Sequence, residues 1–483
     1  MTETHPNYVD GEWVESGTGE TFEVRNPAEP GEVVGRYRGS GPADAERAIE
    51  AAAAADDSWA DTPGPERGAL LSRVAERLED RKEELAETLV REEGKTRPEA
   101  EGEVGRAVDV FRYYAAKARD RGGDLKASSS PDTRLYTVDE PVGVVSLVTP
   151  WNYPIAIPAW KLAPALASGN TAVLKPASLA PGVGRALVEC VDEAGAPDGV
   201  VNFVTGAGSD VGDPLTTHDA VDAVSFTGSA AVGERVYEEA TAAGKRAQTE
   251  MGGKNPTVVT ASADVGEAVE IVGSGAFGVT GQACTACSRA IVHESVHEEF
   301  LEGIVEYAEG IEVGPGLDGA DMGPQVSPGE LETTLDYIEV GESEGARLVT
   351  GGERLDGGVH AGGYFVEPTV FADVEPDMRI AQEEIFGPVL GVIRVDGFEE
   401  AVEVANGVPY GLSASVVTRD LGEANRFVDE IEAGMAKVNE KTTGVELHTP
   451  FGGFKRSSSE TWREQGDAGL DFYTISKTVY MNY

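Results

Sequence analysis

Short, β-branched apolar runs alternate with helix-like stretches through the middle of the chain. Between 142 and 253 the runs VGVVSLVT, TAVLKPAS, GVVNFVTG, AVSFTGS and AQTEMGG recur, each with the length and composition of a buried parallel strand. The segments between them, PGVGRALVECVDEAG and AAVGERVYEEATAAG among them, space their apolar residues as helices do and run into glycine, a helix stop. This alternation predicts a doubly wound α/β layer, with a nucleotide expected at the carboxyl ends of its strands. From Asn255 a second α/β pattern begins, in which NPTVVTAS, RAIVHE, ARLVTGG and LSASVVTR read as strands and GEANRFVDEIEAG as a helix. Upstream, AERAIEAAAAADDSWA and PERGALLSRVAERLEDRKEELAETLVREEG read as long amphipathic helices on the flank of the first sheet. LYTVDE at 135–140 and FYTISKTVY at 472–480 alternate polar and apolar residues like exposed strands, whose edges an oligomer would cover.

Size and charge narrow the class. The 483 residues suffice for about three domains, and no staple is needed to hold cores of that size. Three cysteines, Cys190, Cys284 and Cys287, are too few for a disulfide framework and point to a reducing compartment. The polar, acidic start MTETHPNYVDGEW has no signal-peptide pattern, and no apolar run reaches the ~20 residues of a membrane span, so a cytoplasmic protein is expected. A net charge of -46 argues against nucleic acid and membrane as partners. Basic residues number only 39, twelve of them lysine, and the acidic excess is spread along the whole chain. Such a surface repels itself in dilute buffer, whereas molar salt cuts the Debye length to ~3 Å. The expectation is an enzyme of a salt-rich cytosol.

The chemistry centres on GQACTACSR at 281–289, which places Cys284 behind a glycine and 34 residues after Glu250 of EMGGKNP. A thiolate attacks an electrophilic carbonyl carbon, and a carboxylate held partly out of water deprotonates the water that hydrolyses the adduct. Asn152, in TPWNYP, offers an amide to an oxyanion; capping the following helix is the competing use. With 281–289 matching GQxCxAxxR, this ordered set resembles the aldehyde dehydrogenase superfamily from about Tyr8 to Tyr480. The resemblance implies an aldehyde dehydrogenase-like fold. Its Rossmann-like cofactor domain would take residues 1–122 and 142–250, its α/β catalytic domain 251–453, and its small oligomerisation arm 123–141 and 466–483. The arm implies a homodimer or homotetramer. By the same resemblance Cys284, Glu250 and Asn152 are the catalytic set.

Cofactor signals agree with that reading. Gly206, Gly208 and Gly212 come one residue short of the dinucleotide fingerprint, and FTGS at 226–229 ends a strand and opens a helix, so that N–H groups and Ser229 could meet a pyrophosphate. The resemblance assigns Trp151, Lys175, Ser178, Gly208, Gly212, Phe226, Thr227, Gly228, Ser229, Glu384 and Phe386 to the cofactor. Relatives that prefer NAD usually carry glutamate where Ser178 stands; serine with Lys175 can instead accept a 2′-phosphate, so NADP is expected over NAD. Tyr153, Ile157 and Trp160 fall where relatives line the substrate tunnel.

Two features touch the substrate and one argues for another class. The segment PFGGFKRSSSETWREQG departs from the commoner PFGGxKxSGxGRExG, and with Val279 of FGVTGQ it resembles the 2-oxoglutarate-semialdehyde (2,5-dioxopentanoate) dehydrogenases of pentose breakdown. Succinate semialdehyde is the nearest alternative substrate. A small anionic aldehyde demands a local positive patch, for which Arg289, Lys455, Arg456 and Arg463 are candidates, structural ion pairs being the competing use. Cys287, three residues after the nucleophile, could close a disulfide with Cys284 under oxidant. HESVH at 293–297 matches the HExxH zinc signature of metallohydrolases. Its first histidine closes the strand RAIVHE, and Ser295 with Glu298 reads as a capping box that opens the next helix, so the histidines would not share one helix face and no metal is expected.

Overall fold

A computed structural model describes residues 4–120, 122–459 and 461–483. Two seven-stranded sheets carry the molecule. The first runs in the order Arg246–Glu250, Ala223–Thr227, Val144–Val148, Thr171–Lys175, Val201–Phe203, Asn7–Val9, Glu12–Val14. Its first five strands are parallel, and the hairpin 7–14 joins antiparallel at the edge. These are the five runs expected from the sequence. Helices cover both faces, which is why the strands show little alternation: Val145 and Leu147 face a core shared with helices Gly64–Asp80, Arg97–Lys117 and Ala156–Ser168, while Val144 faces helices Pro42–Ala60 and Gly208–Thr217. The strand order reverses beside Val144–Val148, between it and Ala223–Thr227. That reversal opens a crevice at the strands' carboxyl ends, the usual ligand position in such sheets.

The second sheet runs Arg347–Thr350, Thr369–Ala372, Val389–Val395, Cys287–His293, Asn255–Val259, Ser413–Val417, Met435–Val438. All its pairs are parallel except the first. Thr474–Asn482 pairs antiparallel with Thr133–Pro141 over its whole length, in a ribbon completed by Leu125–Lys126. On its outer strand Ile475, Tyr480 and Met481 are exposed. The α/β class with a separate β arm is therefore as expected. Among the described residues no helix is long and apolar enough to cross a membrane.

Two local expectations fail. The stretch read as one helix through 65–94 is two, Gly64–Asp80 and Lys82–Glu93, broken at Arg81 (φ -102°, ψ 11°). Arg81 donates to Glu84 and, at 3.1 Å, to Glu189 on helix Gly182–Glu193, so the second half turns to pack there. Nor does Ser295 form a capping box with Glu298. Helix His297–Glu309 starts without a side-chain cap, because the Ser295 hydroxyl is engaged by His293 Nδ1 at 2.8 Å. His293 nevertheless ends its strand and His297 opens the next helix, so the two rings straddle a turn.

Candidate active site

The loop of the candidate nucleophile is built on strain. After helix Val265–Phe277, Val279 (φ 52°), Thr280 (φ 57°) and Gly281 (φ 68°) are all left-handed. The two non-glycine residues cost about 1–3 kcal/mol each in this region, so the surroundings must hold them. Glu99 accepts from Val279 N at 2.7 Å, and Thr280 Oγ1 donates to the Gly323 carbonyl at 3.1 Å. A Cβ on Gly281 would strike the Gly387 carbonyl, so only glycine fits the sharpest point. Beyond the turn, Asn255 Nδ2 donates to the carbonyls of Cys284 and Ala286, 2.9 Å each, and fixes Cys284 before strand Cys287–His293. The Cys284 thiol is pushed up to about 12 by burial and by the charges of Glu384, Glu250 and Glu464, against which its own backbone N–H acts.

Asn152 is 3% exposed and caps no helix. Its Nδ2 donates to the Gln282 carbonyl at 3.0 Å, two residues before Cys284, which leaves the second amide hydrogen for another acceptor. Its backbone carbonyl accepts from Lys95 Nζ at 2.8 Å, and Lys95 is itself buried against Glu103. Glu103 in turn accepts from the N–H groups of Ile155 and Ala156. Lys95 and Glu103 thus hold the loop that presents Asn152. The sequence reading passed over both, although EEGKT stands just ahead of a capping box of Thr96 and Glu99.

Glu250 is the last residue of its strand and 1% exposed. It accepts from Ser458 Oγ at 3.0 Å and Gly453 N at 3.1 Å. Burial and the nearby Glu464 raise its pKa well above the ordinary carboxylate range, while these hydrogen bonds and Arg463 oppose the rise. Glu464 is salt-bridged to Lys161, which also donates to Ser225 Oγ at 2.7 Å. This buried pair was also missed, though Glu464 stands in the RExG part of the C-terminal motif. Glu384 accepts from Gly253 N at 3.0 Å and is pushed up to about 7 by burial. A Cβ on Gly252 would collide with its carboxylate, and one on Gly253 with the Asn255 side chain, which accounts for the paired glycines after Glu250.

The cofactor candidates gather at the crevice of the first sheet. Lys175 and Thr227 end neighbouring parallel strands, on either side of Val144–Val148. Lys175 Nζ is buried and donates to the Pro176 carbonyl at 2.7 Å, with its pKa lowered to about 8 by burial. Ser178 Oγ donates to the Gly206 carbonyl at 3.0 Å. Thr227 Oγ1 is buried without a partner, and Ser229 precedes helix Ala230–Ala242 without capping it, so the helix N–H groups stay open to a ligand. Phe226 packs inward beneath Gly228. Gly208 and Gly212 lie in helix Gly208–Thr217, with open space where a Cβ would stand. Trp151 meets Phe386 edge-on at 5.3 Å, and Phe386 is left-handed (φ 61°). An orphaned hydroxyl, an uncapped helix start and a lysine with N–H groups to spare fit a phosphorylated dinucleotide.

Cys284 opens into a cavity of about 370 Å³. Tyr153, Ile157, Trp160 and Phe451 give it an apolar wall. The proposed anion-binding cations are elsewhere. Arg289 is 1% exposed and donates to the carbonyls of Lys254, Val404 and Ala405, a buried strut rather than a ligand site. Arg456 is engaged by both oxygens of Glu234, and Lys455 by Glu432 and the Asn406 carbonyl. Arg463 donates to the Gly453 carbonyl and lies over the Phe454 ring, beside Glu250 but outside the cavity wall. The cations that do line the cavity are Arg106 and Lys441, neither singled out by its sequence context. Cys287 is buried, its thiol donating to Thr257 Oγ1 at 3.2 Å. Among the described residues no cluster of histidine, cysteine and carboxylate side chains could hold a metal ion.

Known proteins resemble this chain along nearly its whole length. The chain is 64% identical over 483 residues to an alpha-ketoglutarate semialdehyde dehydrogenase of Haloferax volcanii, covering 100% of both. It is 45% identical over 470 residues to a 2,5-dioxopentanoate dehydrogenase of Saccharolobus solfataricus, covering 97% of each. The crystal structure of betaine aldehyde dehydrogenase from Staphylococcus aureus in complex with NAD+ superposes with a TM-score of 0.96 at 36% identity, over 99% of this chain and 94% of that one. Residues 13–479 match the aldehyde dehydrogenase family. With its nucleophile loop, its buried carboxylates and these relatives, the chain belongs to the aldehyde dehydrogenase family.

Proposed function

We propose that this enzyme oxidises 2,5-dioxopentanoate to 2-oxoglutarate in pentose degradation, with NADP preferred over NAD. The observation that carries the chemistry is the Cys284 thiol facing a largely apolar cavity, with Asn152 tied to its loop. The relatives' printed activities support the substrate. Once its thiol proton has passed to water, Cys284 Sγ attacks the aldehyde carbon, and the Asn152 amide with the Cys284 backbone N–H donates to the oxyanion of the thiohemiacetal. Bound NADP or NAD supplies the hydride acceptor. A thioester is left on Cys284, and Glu250 takes a proton from the water that hydrolyses it. Lys175, Ser178, Thr227 and the start of helix Ala230–Ala242 hold phosphate and ribose, and Glu384 the nicotinamide end. The absence of a carboxylate at position 178 supports acceptance of a 2′-phosphate.

The exposed strand Thr474–Asn482 supports a homodimer or homotetramer, and three unbridged cysteines support a cytoplasmic setting. An aldehyde panel in molar KCl with both cofactors tests the reading. Specificity constants should rank 2,5-dioxopentanoate above succinate semialdehyde and both above neutral aldehydes, with NADP ahead of NAD; a neutral aldehyde ranked first contradicts the substrate. The denaturation midpoint should rise with added KCl because the acidic surface repels itself, and a midpoint that stays level contradicts the salt-adapted part.

A further inference from the structure

The cations in the wall of the Cys284 cavity differ from the ion-paired cations of the surface. Acidic residues outnumber basic ones 85 to 39, and surface cations routinely meet carboxylates: Arg91 with Glu32 and Glu87, Arg379 with Glu383, Arg456 with Glu234. Arg106 and Lys441 break the pattern. Arg106 stands midway along helix Arg97–Lys117, half-buried, and Nη2 donates to the side-chain oxygen of Gln465 at 2.9 Å. Among the described residues neither Arg106 nor Lys441 forms an ion pair.

The two carboxylates in the same wall are committed elsewhere. Glu103 is taken by Lys95 and two backbone N–H groups, and Glu99 by Val279 N together with the Thr96 N–H and hydroxyl. A guanidinium has five donors, and the structure shows one of them used. Burial lowers the Arg106 pKa, and the charges of Glu446 and Asp109, neither in direct contact with it, offset that only in part. Leaving a cation half out of water and unpaired is costly, and costlier to explain in a chain with carboxylates to spare.

We propose that Arg106 is the specificity-determining residue that receives the carboxylate of the anionic aldehyde, with Lys441 at the exposed rim adding a second, more screened charge. The assignment rests on the semialdehyde reading above and names the group that selects the charged end of the substrate. Trp160, Ile157 and Phe451, which line the same cavity as Cys284, would then flank the carbon chain between carboxylate and aldehyde. The planar fork of arginine suits two-point binding of a carboxylate, which lysine at 106 would reproduce only in charge.

The test is the ratio of specificity constants for 2,5-dioxopentanoate and for pentanal, a neutral aldehyde of equal carbon number, measured on the full-length enzyme in molar KCl. Arg106→Met should lower the ratio about 10- to 100-fold, chiefly through KM for the anionic substrate, which is the size of a lost charged hydrogen bond. Arg106→Lys should recover part of it. Lys441→Ala should lower the ratio by a few-fold, more in low salt than in high. If both substrates lose activity equally in Arg106→Met and Arg106→Lys restores nothing, Arg106 is only a structural support and the proposal is overturned. Failure of the parent reading looks different: the unaltered enzyme would itself show no preference for the anionic aldehyde.

Discussion

The two seven-stranded sheets deliver their functional groups by different means. The first places them at the carboxyl ends of parallel strands, where Lys175, Thr227 and Glu250 are each a terminal residue and Asn152 follows shortly after another. Regular backbone sets their positions. The second presents Cys284 on the way into a strand, through a turn with three successive left-handed residues clamped by Glu99 and Gly323, with Asn255 holding Cys284 beyond it. Here the position is held against strain. The comparison teaches that the candidate groups at strand ends need little local support, while Cys284, proposed for the covalent step, depends on a loop that its neighbours must hold.

Substitutions separate the two. Cys284→Ala should abolish aldehyde oxidation by at least about 10⁴-fold, since loss of a nucleophile removes the covalent route. Steady-state turnover near the unaltered rate would break the division at once. A second test uses the thiol's own titration. Pushed up to about 12, Cys284 is a neutral thiol at pH 7 in the cofactor-free enzyme. Its alkylation by iodoacetamide should rise about tenfold per pH unit between pH 7 and 9. Glu384→Gln, by removing the leading negative charge, should speed alkylation at pH 9, and a rate that is flat with pH contradicts the protonated resting state. On the first sheet Ser178→Glu should leave the covalent chemistry in place and shift the NADP to NAD ratio of specificity constants towards NAD by roughly tenfold, the size of a charged hydrogen bond gained on one cofactor and repulsion added on the other. An unchanged ratio removes Ser178 from cofactor choice.

Local patterning made the first sheet legible residue by residue: five short β-branched runs became five parallel strands. Gly281 before the proposed nucleophile and Gly252 after Glu250 were legible too, because close packing there admits few residue types. What sequence could not show is which distant groups meet. Arg289 stood in the most informative motif and is a buried strut bonded to three carbonyls, whereas Arg106 looks like any helix arginine and lies in the cavity wall. The Lys161–Glu464 pair spans 303 residues and leaves no local trace. The break at Arg81 depends on Glu189, and the missing cap at Ser295 on a neighbouring ring that took its hydroxyl. Each is a tertiary contact overriding a local preference.

The division between covalent capture and hydrolysis is tested most directly with Glu250→Gln. This buried carboxylate has its pKa raised, which makes it a stronger base than an ordinary glutamate, and glutamine keeps the shape while removing the base. Mixed with 2,5-dioxopentanoate and oxidised cofactor, the variant should release one equivalent of reduced cofactor per subunit and stop, with the acyl group found by intact mass and peptide mapping on Cys284. Repeated turnover at the unaltered rate, or a single turnover that leaves no adduct on Cys284, would contradict the account.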